Sequence, residues 1–287
     1  MRFPFVVLSL VMALPARADV RVVGSDLLGV EFSRALYEFG GRHGLTLALA
    51  FDGSRPGLDQ LEAGRADLAL VALPAEEEPA IAGAASLTLA YHALVVVVPA
   101  ELPLEQLTLA ELGEVFGESE RGSLARWGDH GLGAEWASDA IVLAAPAPAM
   151  GMMVDFFRRS VLRGRALKST VMRFADESEL ARQLAEDRRT VALASIPAKG
   201  MPASKIVPIA LRAGEPAFTP TPENLHAGDY PLRLPLHVVF RLESAVKVRP
   251  LLRFLFSEKL ASTLERVGVV PLPSAARRQQ RLALEKL

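Results

Sequence analysis

The sequence predicts an α/β protein built on mostly parallel sheets flanked by helices. Three observations carry that expectation. Short β-branched or alternating apolar runs recur along the chain, stretches with apolar residues at helical spacing separate them, and Gly-Ser bends join one kind of segment to the next. Over residues 20–73 the resulting order is strand, helix, strand, helix, strand. Parallel neighbours need a crossover connection, so this order places helices on the faces of a parallel sheet.

Each element follows from its residues. Val20-Arg21-Val22-Val23 is a short strand, and Gly24-Ser25-Asp26 turns the chain. Leu28, Phe32, Ala35, Leu36 and Phe39 then recur at helical spacing, with Gly40-Gly41 as the expected stop. Leu45 to Phe51 alternates as a second strand, Asp52-Gly53-Ser54 turns again, and a helix is expected from Pro56, with Leu58 and Leu61 inward and Gly64 at its end. Asp67 to Leu73 is a third strand. Residues 74–86 read as a polar loop whose Glu76-Glu77-Glu78 is a solvated acidic run. Tyr91 to Val98 is a strand. Helical patterns follow at 108–117, 151–163 and 177–187, the last with Asp176 as N-cap and Glu179 three residues on. Thr190 to Ile196 is a further strand, and Pro202 to Pro235 reads as a return connection. Arg249 to Val267 is expected to be one helix ended by Gly268, and Ser274 to Leu287 a basic, amphipathic tail or short surface helix.

The chain opens on a pattern of export. Arg2 is followed by the apolar stretch Phe3 to Leu14, and Ala16-Arg17-Ala18 offers small residues where a signal peptidase reads. The stretch is shorter than the ~20 residues a membrane span takes. Cleavage near Ala18 is expected, leaving a periplasmic or otherwise exported chain. Residues 1–18 hold two of the 32 cations and none of the 33 acids, so 30 cations face 33 acids in the remainder. That balance gives no basic excess for nucleic acid or an anionic membrane surface. The remaining length suffices for one large core or for two lobes of ~130 residues. Cysteine is absent, which excludes a disulfide framework, thiol catalysis and thiolate metal sites.

The order of segments from about Val20 to Pro273 resembles the periplasmic phosphate-binding proteins of ABC transporters, a branch of the type II periplasmic-binding-protein fold. The resemblance rests on the two Gly-Ser bends, on the run Gly64 to Ala69, on Leu107 to Phe116 followed by Arg126-Trp127-Gly128, and on Asp155-Phe156-Phe157. Its most specific part is Thr221-Pro222-Glu223-Asn224-Leu225 followed by Gly228-Asp229-Tyr230-Pro231-Leu232 and Leu234-Pro235-Leu236, and it ends on Gly268-Val269-Val270-Pro271-Leu272. The resemblance implies two α/β lobes that close by hinge motion on a small ligand, phosphate or another oxyanion, and a permease as partner. Lobe one would comprise 19–93 plus 215–273, lobe two 94–214, with 274–287 as a tail. A monomer is expected, with no cofactor.

Candidate site residues follow from the bends. Parallel α/β sheets hold ligands beyond the carboxyl ends of their strands, where Gly24, Ser25, Asp26, Gly53, Ser54 and Arg55 stand. Helix N-termini there present unpaired N–H groups and partial positive charge. Each serine adds a hydroxyl donor, or serves only to cap its own helix. Arg55 offers a full charge, or is a solvated surface arginine. The chain also departs from the resembled pattern, which implies an arginine and a Ser-Gly-Thr group before the second-lobe helix and an aspartate after the third strand. Here the former stretch is Ala145 to Met153, containing Met150, Gly151 and Met152, and the latter is Val71-Ala72-Leu73-Pro74. Neither holds a charge. Stripping a buried anion of its cationic partner costs about 3–5 kcal/mol, or two to three decades of affinity. The methionines would make that wall soft and apolar, or pack into the core.

Catalytic patterns are scarce. No two of His43, His92, His130, His226 and His237 have the spacing of a zinc helix, and no nucleophile elbow, P-loop or dinucleotide fingerprint occurs. His92, on an apolar strand, reads as a hydrogen-bonded core histidine. A binding module is therefore expected, with a sensor, an adaptor or a binder of a less charged ligand as the alternative and an enzyme as a remote one.

Overall fold

The computed structural model describes residues 20–74, 76–118, 124–147, 152–196 and 203–286. The expected export leader lies outside them. The chain begins β1 (Val20–Gly24), α1 (Gly29–His43), β2 (Leu47–Ala50), α2 (Ser54–Glu62) and β3 (Leu68–Ala72). It continues through β4 (Ala84–Pro99), β5 (Leu107–Thr108), α3 (Leu109–Phe116), β6 (Val142–Pro146) and α4 (Met152–Ser160). Next come β7 (Met172–Phe174), α5 (Glu177–Glu186), β8 (Thr190–Ser195), β9 (Ser204–Ile206), β10 (Ile209–Ala210) and β11 (Ala217–Phe218). The remainder is α6 (Pro222–Ala227), β12 (Arg233–Arg241), α7 (Ala245–Leu255), α8 (Glu258–Arg266), β13 (Val270–Pro271) and α9 (Ser274–Leu284).

Two half-sheets share one strand. In the first, β1 pairs parallel with β2 and β3, and β12 lies antiparallel between β3 and β4. In the second, β8 and β7 pair parallel with β6, while β8 and β9 pair antiparallel with β4. β4 spans 16 residues because it serves both. Its residues up to Ala93 pair with β12, and Leu94 to Val97 pair with β8. This is the two-lobe α/β architecture that the resemblance implies.

The pleat divides the first half's core as strand geometry requires. Leu68, Leu70, Leu236, Val238 and Phe240 pack with Phe32 and Leu36 of α1 and Leu260 and Leu264 of α8. Val23, Ala69, Val71 and Val239 pack on the other face with Leu61 of α2. In the second half, α5 sets Leu180 and Leu184 against Val95, Val97, Ala192 and Ala194.

The segment 221–233 is explained by its contacts at the crossing. Thr221 caps α6, accepting from the Asn224 N–H at 3.2 Å, and Pro222 occupies the first turn, where its missing N–H costs nothing. Gly228 ends α6 in the left-handed region at φ 94°. Arg233 donates to the Leu225 carbonyl and lies over the Tyr91 ring at 5.4 Å. Tyr230, fully buried, donates its hydroxyl proton to the Leu94 carbonyl at 2.8 Å, while the Leu94 N–H donates to Leu232 at 2.9 Å. The residue at which β4 changes partners is thus bonded on both its polar groups to the return segment.

Several elements differ from expectation. α1 runs through Gly40-Gly41 and stops at Gly44, φ 65°. Gly40, inside the helix, packs on the segment entering β2, where an added Cβ would lie 2.7 Å from the Leu45 carbonyl oxygen and 3.1 Å from the Leu47 side chain. β4 starts at Ala84, inside the expected loop. The expected helix 249–267 is two, α7 and α8, separated because Ser257 caps the second, accepting from the Leu260 N–H at 3.2 Å. β12 (Arg233–Arg241) begins in the last residues of the expected connection and runs on where no element is expected: Pro235 sits beside a bulge at Leu236/His237, the kind of irregularity that tolerates proline in a strand. β6 and β7 are likewise strands, too short and irregular in sequence to show an alternating pattern. The 274–287 segment forms α9, docked by the buried Leu284 and by Arg277, which donates to the Leu272 carbonyl and the Glu258 carboxylate.

Tyr230→Phe should leave the buried Leu94 carbonyl short of a partner. Denaturant unfolding is expected to show a loss of about 1–3 kcal/mol, and a change below a few tenths would contradict this role.

Candidate functional site

Gly24, at the carboxyl end of β1, has φ 141°, and a Cβ there would lie 1.8 Å from the Leu70 carbonyl oxygen of β3. Only glycine lets these two strand ends close up. The Ser25 N–H donates to that Leu70 oxygen at 2.7 Å. Gly53, at φ 128°, donates its N–H to the Gly24 carbonyl at 2.8 Å. Gly57, one turn into α2, would set a Cβ 2.8 Å from the Gly24 Cα. The two bends therefore touch through backbone alone.

The two serines differ in role. Ser25, fully buried, caps the short 3-10 turn Asp26–Leu28, accepting from the Leu27 N–H at 3.3 Å. Ser54 is not a cap. It is the first residue of α2, and its hydroxyl accepts from the Ala72 N–H at 3.0 Å, tying the helix start to the end of β3. Each hydroxyl accepts from a backbone N–H and carries one proton of its own to donate. The N–H groups of Ser54 and Arg55 have no carbonyl one turn back inside α2, and Pro56 has no N–H. The ends of β1, α2 and β3 thus form a small, uncharged cluster of donors.

Of the residues expected at the site, Gly24, Ser25, Gly53, Ser54 and Ala72 are brought together. Asp26 is exposed beside them. Arg55 is exposed and ion-paired with Glu77 of the acidic loop, so its charge is compensated by a neighbour. Met150 and Gly151 lie outside the described residues, as does the side chain of Met152, whose backbone opens α4. No group of three or more metal-ligating side chains occurs among the described residues, and no helix among them is long and apolar enough to cross a membrane.

Both sets of strand ends converge on the crossing. Ala72 pairs with Leu236, which pairs with Ala90 of β4. From the other half, Ser195 at the end of β8 pairs with Leu94. Between these levels lies His92, paired with Leu234. Sequence pattern suggests a hydrogen-bonded core histidine there. The side chain is indeed buried, at 9% exposure, but its Nε2 has no hydrogen-bond partner among the described residues. Burial pushes its pKa down to about 4, so the ring is neutral at physiological pH. His237, on the face under α2, is also buried with Nε2 unpartnered; burial lowers its pKa, against a smaller opposing influence of Glu78.

A family model described as the PBP superfamily domain matches residues 13–259. The chain belongs to the PBP superfamily. Among curated proteins, this PBP-superfamily chain is 24% identical over 194 residues to Protein SphX of Synechococcus elongatus, covering 66% of the chain and 56% of SphX. It therefore spans little more than half the length of that relative. Three solved structures share its fold. PstS from Borrelia burgdorferi superposes with a TM-score of 0.72 at 14% identity, covering 88% of this chain and 98% of that one. A protein titled a possible phosphate binding protein, from Planctomyces limnophilus, gives 0.71 at 21%, covering 93% and 97%. An ABC-type phosphate transport receptor from Vibrio cholerae gives 0.67 at 19%, covering 88% and 100%.

Protonating His92 should destabilise the fold. Its folded pKa, about 4, lies below the unfolded 6.5, so the unfolded chain takes up the proton first. The stabilisation is complete above pH 6.5 and is lost as pH falls towards 4, a swing of ~3 kcal/mol. Unfolding free energies measured across that range should fall for the wild type and fall less for His92→Gln. Equal slopes would contradict the assignment.

Proposed function

We propose that this protein is an exported solute-binding module that closes its two lobes on a small oxyanion, phosphate or a relative, without the ionic contacts the resembled family implies. The observation that carries this reading is the Gly53 N–H to Gly24 carbonyl hydrogen bond, which sets two hydroxyl-bearing bends side by side at the strand ends. Its lobes would be 19–93 plus 215–273 and 94–214, joined at the β4 crossing. The leader supports a periplasmic location, and the relatives' phosphate-transport titles support a permease as partner. The role is capture, not catalysis.

Hydroxyls and helix N-terminal amides supply neutral donors, each contributing about 0.5–1.5 kcal/mol. With Arg55, the adjacent cation, paired to Glu77, a Kd between about 1 µM and 1 mM is expected. The uncharged stretch 145–151 also favours a second reading, a sensor or adaptor whose ligand carries less charge.

Titration calorimetry of the mature protein with phosphate and with sulfate tests the proposal. Ser54→Ala should weaken phosphate about tenfold and lower the melting temperature, because the Ala72 N–H loses its acceptor. No heat and no rise in melting temperature at millimolar phosphate or sulfate would remove oxyanion capture. In that case, a protein partner recovered from an envelope extract, with no permease, would favour the sensor.

A further inference from the structure

We infer that Glu77 is a displaceable counter-ion: an incoming oxyanion takes the Arg55 guanidinium from the Glu77 carboxylate, so affinity is set by competition with a side chain of the protein itself. The inference deepens the reading above and rests on it.

Position comes first. Two cross-links run side by side from the start of α2 to the exit of β3. The Ser54 hydroxyl accepts from the Ala72 N–H at 3.0 Å, and one residue on, the Arg55 guanidinium donates to the Glu77 carboxylate. The Leu73 N–H holds the exit to β12 by donating to the Pro235 carbonyl at 3.2 Å, and a turn closed by the Glu77 N–H on the Pro74 carbonyl at 2.9 Å carries Glu77 towards α2. The ion pair therefore stands at the strand ends, next to the hydroxyl and the first amides of α2.

The local charge balance comes next. The three segments that meet here, 24–26, 52–56 and 72–78, carry Asp26, Asp52, Glu76, Glu77 and Glu78 against Arg55 alone. An anion approaching these bends meets like charge, and the one cation in the three segments is already engaged by Glu77. Binding of an anion here is favoured when it takes that cation over.

The exchange is cheap because the pair is open to water. The Arg55 and Glu77 side chains are 70% and 37% exposed, and an exposed pair of this kind favours its own association by at most about fivefold. A guanidinium forks onto two oxygens of a carboxylate or of a phosphate alike. A tetrahedral oxyanion has oxygens left over for the neighbouring hydroxyl and amide donors, which a carboxylate lacks once both of its oxygens are forked. Exchange therefore trades one ion pair for an ion pair with added hydrogen bonds, and the released carboxylate is hydrated on its loop.

The test separates exchange from simple removal of charge. Phosphate and sulfate are titrated into wild type, Glu77→Gln, Glu76→Gln, Arg55→Gln and the Arg55→Gln/Glu77→Gln double variant, and the Arg55 Nε resonance of 15N-arginine-labelled wild type is followed by NMR. Glu77→Gln should raise phosphate affinity about fivefold, and Glu76→Gln, which removes the same charge from the same loop, less than twofold. Arg55→Gln should lower affinity about tenfold, and in that background Glu77→Gln should bring no further gain. The Arg55 Nε resonance should shift on addition of phosphate. Equal gains in Glu76→Gln and Glu77→Gln, a full Glu77→Gln gain without Arg55, or phosphate binding with an unmoved Arg55 resonance overturns the inference and leaves the binding function intact. Absence of phosphate and sulfate binding in both wild type and Glu77→Gln overturns both. The NMR arm needs no variant, so misfolding of a variant leaves the inference falsifiable.

Discussion

A single backbone hydrogen bond, from the Gly53 N–H to the Gly24 carbonyl at 2.8 Å, underlies the geometry of the strand ends. It forms only because three glycines remove the bulk that would keep the segments apart. A side chain at Gly24 would strike the Leu70 carbonyl, and one at Gly57 would strike Gly24 itself. Gly53 adopts a conformation that L side chains rarely take. With these three in place, α2 seats on the end of β1, Ser54 reaches the Ala72 N–H, and the first amides of α2 share one neighbourhood with Ser25. Backbone crowding, a property of residues without side chains, therefore determines where the hydroxyls stand.

The crossing solves a different problem. A strand that belongs to two half-sheets has to change partners without exposing its ladder groups, since unpaired buried backbone is costly. At Leu94 the change is covered on both polar groups, by the Tyr230 hydroxyl and the Leu232 carbonyl. The capped helix α6, its glycine stop and the Arg233 guanidinium hold this return segment against Tyr91. The two halves then share one continuous strand, and one buried apolar cluster runs through both, from Phe32 and Leu70 in the first to Phe157 and Leu193 in the second.

Legibility in the sequence followed how local the determining forces are. β1, β3, α3 and α5 were readable because their apolar periodicity and capping residues act within a few positions, as with Asp176 accepting from Ser178 and Glu179. β12 was not, because Pro235 and the turn residues before it signal a connection, and only pairing with β3 and β4, distant in sequence, makes it a strand. The division of 249–267 turned on Ser257, a weak signal inside a strong helical pattern. At the site, the two bends were readable as bends, but their contact was not, since nothing in Gly24 or Gly53 alone names its partner. For Ser54 the sequence leaves a cap and a free hydroxyl donor both open; its bond to Ala72 depends on how α2 lies over β3.

The electrostatics of the cluster decide what kind of selectivity it can have. Arg55, the nearest sequence candidate for a cation, is exposed and paired with Glu77. Attraction by full charge is weakly discriminating, because any anion of the same valence answers it. A set of hydroxyls and amides discriminates instead by whether each donor meets its complement, and a mismatch leaves a buried group unpaired at a cost of about 1–3 kcal/mol. Under the proposed binding reading, a site of neutral donors alone would give up affinity relative to an arginine-clamped one and would select by the fit of its ligand's acceptors.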